Sequence, residues 1–339
     1  MPKRSPIDQL DHALQALLAP AATPMAGLDR EVAELVPVAT LLLDLPSPDF
    51  HARLKSELER KATMASTTSP SKSATAGSMR NPTGGLFPTV VPYICVVEAH
   101  EVIEFVQKAF GAEGAILGTG SQGGIHAEYR IGDAKIMIGG GPAWKNPLPR
   151  PAALHVYVDD ADATYARAIA AGAASLSVPR DMEYGDREAS VRDAGGNNWY
   201  IGQLRNRPRP EGLRDLTTYF HARGAAAFID FLKQAFSAEE VSRDVSPEGT
   251  VLHAQVRVGD SIVEIGEAHG QWQPMPIAIY LSVADCDAVY EQSLKAGAES
   301  VSPPGTMPYG PVRGATVRDA GGTLWYIQQP LAPAAPGGA

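Results

Sequence analysis

From residue 89 onward, apolar runs and helically spaced stretches follow one another in a fixed order. TVVPYICVV (89–97) is a continuous apolar run of strand length. EAHEVIEFVQKAFGA follows, with Val102, Phe105, Val106 and Phe110 on one helical face. A short strand near 115–119 comes next, and then two alternating runs meet at Gly132-Asp133, the signature of a two-residue hairpin turn. LHVYV (154–158) precedes a helix whose start carries Asp159, Asp160 and Asp162, suited to capping and to the helix dipole. Gly172 stops that helix, and a last hairpin turns at Asp193 to Gly196. The order is strand, helix, three strands, and then the same again.

The whole pattern repeats. EFVQKAFGAE (104–113) recurs as DFLKQAFSAE (230–239), and IHAEYRIGDAKIMIG (125–139) as LHAQVRVGDSIVEIG (252–266). YVDDADATYARAIAAGA (157–173) recurs as SVADCDAVYEQSLKAGA (282–298), and VRDAGGNNWYI (191–201) as VRDAGGTLWYI (317–327). The offsets stay between 125 and 127 residues, which marks a tandem duplication. Residues 63–88, rich in Ser, Thr, Ala, Gly and Pro, read as a flexible linker. Before it, Leu10, Leu14, Leu17 and Leu18, and then Leu54 and Leu58, have helical spacing, so 1–62 reads as a short helical segment. Met64 and Met79 would serve as alternative starts.

The phrases PYICVV, HAEYRIGDAKIMI, HVYVDDAD and VRDAGGNNWYI resemble the vicinal oxygen chelate superfamily, nearest in wording to PhnB-like glyoxalase and bleomycin-resistance proteins. The resemblance covers 89–204 and 215–329. It implies an α+β fold of two tandem domains, 89–206 and 213–331, each of paired βαβββ modules whose curved mixed sheet forms a cup. Residues 332–339 read as a disordered tail.

Strand alternation sorts the faces. With Gly132-Asp133 as the turn, Ala127, Tyr129, Ile131, Ala134, Ile136 and Ile138 share an apolar face for the helices. His126, Glu128, Arg130, Lys135 and Met137 face the cup. In the second copy the cup face holds His253, Gln255, Arg257 and Glu264; on the fifth strands it holds His155 and Tyr157, with counterparts Tyr280 and Ser282. Tyr200 and Tyr326 point the same way on the eighth strands. The candidate ligand-binding set is therefore His126, Glu128, Arg130, His155, Tyr157 and Tyr200, with His253, Gln255, Glu264, Tyr280 and Tyr326 from the second copy. The first strand is ambiguous, and the family register puts His221 on the helix side. Arg187 and Arg313 would hold an anionic ligand or tie a loop, and Trp144 and Trp272 would line a mouth or pack in loops.

Enzymes of the family bind a divalent metal through His or Gln on the first strand, Glu on the fourth, His on the fifth and Glu on the eighth. Those places carry Pro92, Met137, Ala153 and Tyr200, then Thr218, Glu264, Ala278 and Tyr326. One carboxylate cannot hold such a cation, so no metal or other cofactor is expected. An unusual site from His126, Glu128 and His155, or from His253 and Glu264, stays open. Net charge is −9 without a basic block, which argues against nucleic acid, and no apolar stretch suits a membrane span. Cys95 and Cys286 suggest neither a disulfide nor a cysteine metal site, and a cytoplasmic location is expected.

The sequence thus favours a small-molecule-binding protein acting as a monomeric pseudo-dimer. Two alternatives remain: a metal-dependent glyoxalase, epimerase or dioxygenase, and a regulatory scaffold docking through the leading helices.

Overall fold

The computed structural model describes residues 88–331 apart from 121, 146, 206 and 207. The readings made for 1–62, for the linker up to 87 and for the tail fall outside those residues. Four βαβββ modules follow one another. The first holds β1 (Val90–Val96), α1 (Ala99–Phe110), β2 (Glu113–Thr119), β3 (Ile125–Ile131) and β4 (Ala134–Gly140). The second holds β5 (Ala153–Tyr157), α2 (Ala161–Ala170), β6 (Ala174–Asp181), β7 (Arg187–Arg192) and β8 (Asn198–Gln203). The third holds β9 (Leu216–Ala222), α3 (Ala225–Phe236), β10 (Glu239–Val245), β11 (Val251–Val258) and β12 (Ser261–Glu267). The fourth holds β13 (Ala278–Ser282), α4 (Cys286–Lys295), β14 (Glu299–Thr306), β15 (Val312–Arg318) and β16 (Leu324–Pro330).

Local chemistry accounts for these elements. Val102, Ile103, Phe105 and Val106 recur at the spacing that gives α1 a buried stripe, and Gly111 ends it in the left-handed region at φ 66°. Asp160 caps α2 by accepting from Ala163 N, and Asp285 caps α4 by accepting from Ala288 N. The hairpin β3–β4 pairs Ile131 with Ala134, and β11–β12 pairs Val258 with Ser261, so both turns have the length and register that the Gly-Asp dipeptides predict.

Two open eight-stranded sheets result, in the orders β14-β15-β16-β13-β1-β4-β3-β2 and β10-β11-β12-β9-β5-β8-β7-β6. The fold class and the four modules are as expected. Their pairing is not: the first module joins the fourth through antiparallel β1–β13, and the second joins the third through β5–β9. Each sheet, and hence each cup, takes half of its strands from either copy. The physical reason lies in where each copy spends its contacts. Within a copy the modules meet through their helices, α1 on α2 and α3 on α4. Trp199 of β8 packs on Phe105 and Phe110 of the first module, and Trp325 of β16 packs on Phe220 and Phe236 of the third. That shared apolar core leaves the first strand of every module to pair with the other copy.

The copies are also pinned at their hairpin tips. Asp215 N donates to Asp133 Oδ1 at 2.7 Å while Asp133 N donates to Asp215 Oδ2 at 2.9 Å. At the other tip, Thr89 N donates to Asp260 Oδ1 at 2.7 Å. Gly132 and Gly259 have φ +56° and +61°, and a Cβ on either would collide with Asp215 or Thr89, so glycine is required by both backbone and neighbour.

Candidate functional site

The second sheet, with β5, β8, β9 and β12 at its centre, lines a cavity of about 750 Å³. Its floor comes from strand alternation: Tyr219 lies opposite Glu264 and His155 opposite Tyr200 in neighbouring strand pairs. Glu264 is fully buried. Its Oε2 accepts from His155 Nδ1 at 2.9 Å, and its Oε1 accepts from Tyr157 OH at 2.6 Å and Gln255 Nε2 at 3.0 Å. His253 Nε2 lies 3.4 Å from the same Oε1.

Burial alone would push the His155 imidazolium toward deprotonation, but the charge and hydrogen bond of Glu264 outweigh it and raise its pKa above the ordinary histidine value. Burial likewise disfavours the Glu264 carboxylate, yet His155 and His253 hold it well below the usual range. The centre is therefore an imidazolium–carboxylate pair whose members come from different copies. Above it stands an aromatic wall. Tyr200 OH and His221 Nε2 share a hydrogen bond at 2.6 Å, His221 stacks on Trp272 at 5.8 Å, and Tyr200 meets Tyr219 edge-on at 5.3 Å. Burial first, and the charge of His269 second, depress the His221 pKa to about 4, so it is neutral.

The first sheet forms a different cup. Tyr93 OH bonds His126 Nδ1 at 3.0 Å, and Tyr93 lies 6.1 Å from Tyr326. Met137 takes the place of Glu264, and Tyr280 that of His155. Burial pushes the Tyr280 and Tyr326 phenols up to about 12. Glu128 is bound by Lys135 and lies near His126, so its charge is neutralised on its own strand pair.

Of the residues expected to bind ligand, His155, Tyr157, Tyr200, His253, Gln255 and Glu264 gather in the second cup. His126, Glu128, Tyr280 and Tyr326 gather in the first. Arg130 sits at the hairpin end, exposed, with its guanidinium on Gly132 O. The grouping by copy does not hold: His155 lies against Glu264, not with His126 and Glu128, because the sheets cross the copies. His221 is on the cup side, contrary to the expected register; Phe220 takes the helix side against Phe228. Sequence reasoning missed Tyr93 and Tyr219 for the same reason, since a one-residue error on the first strand reverses its faces. Trp272 lines the cavity, and Trp144 is a half-buried loop residue outside it. Arg187 forks onto Asp162 and also binds Asp181, and Arg313 forks onto Asp287, so both tie a helix start to a strand.

The family model of the Glyoxalase/Bleomycin resistance protein/Dioxygenase superfamily matches residues 87–201 and 221–327. The chain belongs to this superfamily. An uncharacterized protein of Mycobacterium bovis is 33% identical over 126 residues, spanning 34% of this chain and 83% of that protein. One from Mycobacterium tuberculosis has the same identity and span here, over 74% of its length. Glyoxalase I from Zea mays superposes with TM-score 0.56 at 13% identity, covering 71% of this chain and 92% of its own. A structure described as a putative dioxygenase from Bacillus subtilis superposes with TM-score 0.50 at 12% identity, covering 75% and 86%. At such identities the two structures share the fold.

The metal that superfamily enzymes carry does not fit the residues present. Pro92 and Thr218 alternate with Tyr93 and Tyr219 and so face the helices. The cup-side sets in register are Tyr93, Met137, Tyr280 and Tyr326 in one sheet, and Tyr219, Glu264, His155 and Tyr200 in the other. Glu264 has both oxygens engaged, and the two imidazoles beside it point at the carboxylate rather than at a common centre. Among the described residues no three His, Cys, Asp or Glu side chains converge as a metal requires.

Proposed function

We propose that the protein binds a small polar molecule in the second cup, and that it does so without a metal. The observation that supports this reading best is the saturation of Glu264 by His155, Tyr157 and Gln255 beneath a cavity of about 750 Å³. A carboxylate so engaged is a fixed part of the floor, and the volume lies within the range of ordinary ligand pockets. The first cup, with Met137 and tyrosines at its centre, has no such polar floor.

The test is a thermal-shift screen of polar fragments on the full chain, since a ligand present well above its Kd raises the melting temperature. Binders are expected, and Tyr200→Ala should abolish their shifts while Tyr326→Ala, at the equivalent place in the first cup, leaves them. Protein stripped with chelator and reloaded with Ni, Zn, Mn or Fe should retain none stoichiometrically. Stoichiometric retention, or a screen without any binder, would sink the reading.

A further inference from the structure

A second cavity, of about 730 Å³, opens on the other face of β9 from the cup. Phe220 and Ala222 stand on that face. Phe228 and Phe231 of α3, Met275 of the connection before β13, and Gly321 of the β15–β16 turn complete the wall.

In the first copy the equivalent place is filled. Val96 and Val102 lie over Gly195, where a Cβ would come within 3.0 and 2.8 Å of their methyl groups. The second copy has Ala222 for Val96, two methyl groups fewer, and Phe228 for Val102. The Phe228 ring is drawn to Phe220 at 5.0 Å and stacks on Phe231 at 6.3 Å. A Cβ on Gly321, the counterpart of Gly195, would meet only Asp319 Oδ1, at 3.3 Å. The connections differ in the same direction. Cys95 and Arg150 exchange backbone hydrogen bonds of 3.2 and 2.6 Å, which hold the connection before β5 onto β1. Met275 replaces Arg150, and its carbonyl accepts from Ile277 N at 2.8 Å within its own turn. Among the described residues no bridge joins it to His221, the counterpart of Cys95.

Charge decides what the gap can receive. Arg223, in the place of Val97, lines the cavity, is exposed, and donates to Gln273 Oε1 at 3.3 Å. No carboxylate lies in ion-pair range of it among the described residues. Asp319 in the wall has both oxygens taken, by Thr323 N at 3.0 Å and Trp325 Nε1 at 2.9 Å. Half-buried Phe228, Phe231 and Met275 beside an unpaired guanidinium bring apolar surface and positive charge together in one concave place. Guanidinium forks match carboxylates. The cup has the opposite sign, with Glu183, Glu188, Asp244 and Glu267 outnumbering Arg180 around it.

We propose that this cavity is a second binding site, taking an organic monocarboxylate whose apolar body lies against Phe228, Phe231 and Met275 while Arg223 holds its carboxylate. It is separate from the site in the cup and does not depend on that reading.

Phenylbutyrate, phenylbutanol and phenylbutylamine test it, since they put an anionic, a neutral and a cationic head on one frame. The full chain, with isotope-labelled methionine methyl groups, is titrated with each by calorimetry and NMR. Phenylbutyrate is expected to bind most tightly and to move the Met275 methyl resonance. Arg223→Gln should weaken it about three- to tenfold, the span between an exposed and a half-covered charged hydrogen bond, and leave phenylbutanol unchanged. Ala227→Glu gives α3 the residue that α1 carries at Glu101, an exposed first-turn position where the helix dipole favours an acid. That variant should favour the amine over the acid.

No binding of phenylbutyrate, binding of the amine as tight as that of the acid by the unaltered chain, or an unmoved Met275 methyl overturns the proposal. So does unchanged phenylbutyrate affinity in Arg223→Gln. Loss of phenylbutyrate binding in Tyr200→Ala would place the acid in the cup and overturn it as well, while leaving the reading of the cup standing.

Discussion

His221 shows how one side chain links the aromatic wall to proton uptake. Its Nε2 shares a 2.6 Å hydrogen bond with Tyr200 OH. Burial and the nearby His269 depress its pKa from 6.5 to about 4 in the folded chain. Between those values the unfolded chain binds a proton that the folded chain refuses, so stability falls as pH drops through that window. His221→Phe removes the titration and changes stability by an offset that does not depend on pH. Denaturant unfolding at several pH values from 7.5 to about 4.5 should therefore show the native chain losing stability relative to the variant. Parallel profiles would mean that His221 titrates normally. The window is set by this residue and differs from that of His155, whose raised pKa gives stability that is complete below 6.5 and lost as pH rises through the folded value.

At the scale of elements, the ends of α1 and α3 form a natural comparison. Both helices terminate in the left-handed region, α1 at Gly111 with φ 66° and α3 at Ser237 with φ 51°. Glycine adopts that region freely, whereas serine is strained there, and the Ser237 hydroxyl gains a 3.4 Å contact from Gln292 in return. Ser237→Gly should stabilise the protein by about 0.5–1 kcal/mol and raise the melting temperature by about 1–4 °C, checked by a thermal melt. No gain would show that the Gln292 contact offsets the strain. Signals of this local kind are the ones that were legible. The Gly-Asp turns set the register of β3–β4 and β11–β12, and alternation then placed His155, Glu264 and Tyr200 on one kind of face. The first strands carried no such anchor: in β9 the alternation of Thr217, Tyr219 and His221 with Leu216, Thr218 and Phe220 puts a threonine and an aromatic ring on each face, so the pattern does not separate them cleanly. Which strand of the other copy lies beside β1 or β5 is a contact between residues sixty or more positions apart, and nothing in the local pattern encodes it.

The whole molecule is a chain in which duplication and architecture are out of step. The repeat unit is the copy, held together inside by helices and by Trp199 or Trp325, while the functional unit is the sheet, which needs both copies. The His155–Glu264 pair crosses that boundary, as do β1–β13, β5–β9 and the Asp133–Asp215 clamp. A copy on its own would expose the pairing edges of β1 and β5, or of β9 and β13, and the second copy would leave Glu264 buried without its imidazolium. Losing one partner of a buried ion pair costs about 3–5 kcal/mol, before the unpaired strand edges are counted. The two copies produced as separate chains, cut between β8 and β9, should therefore not yield compact monomers. Mixed, they should form a one-to-one complex that restores the second cup, with a lower melting temperature that depends on concentration because the tether is gone. Light scattering with thermal melts at two concentrations checks this, and either copy folding as a stable monomer by itself would contradict the shared-sheet architecture.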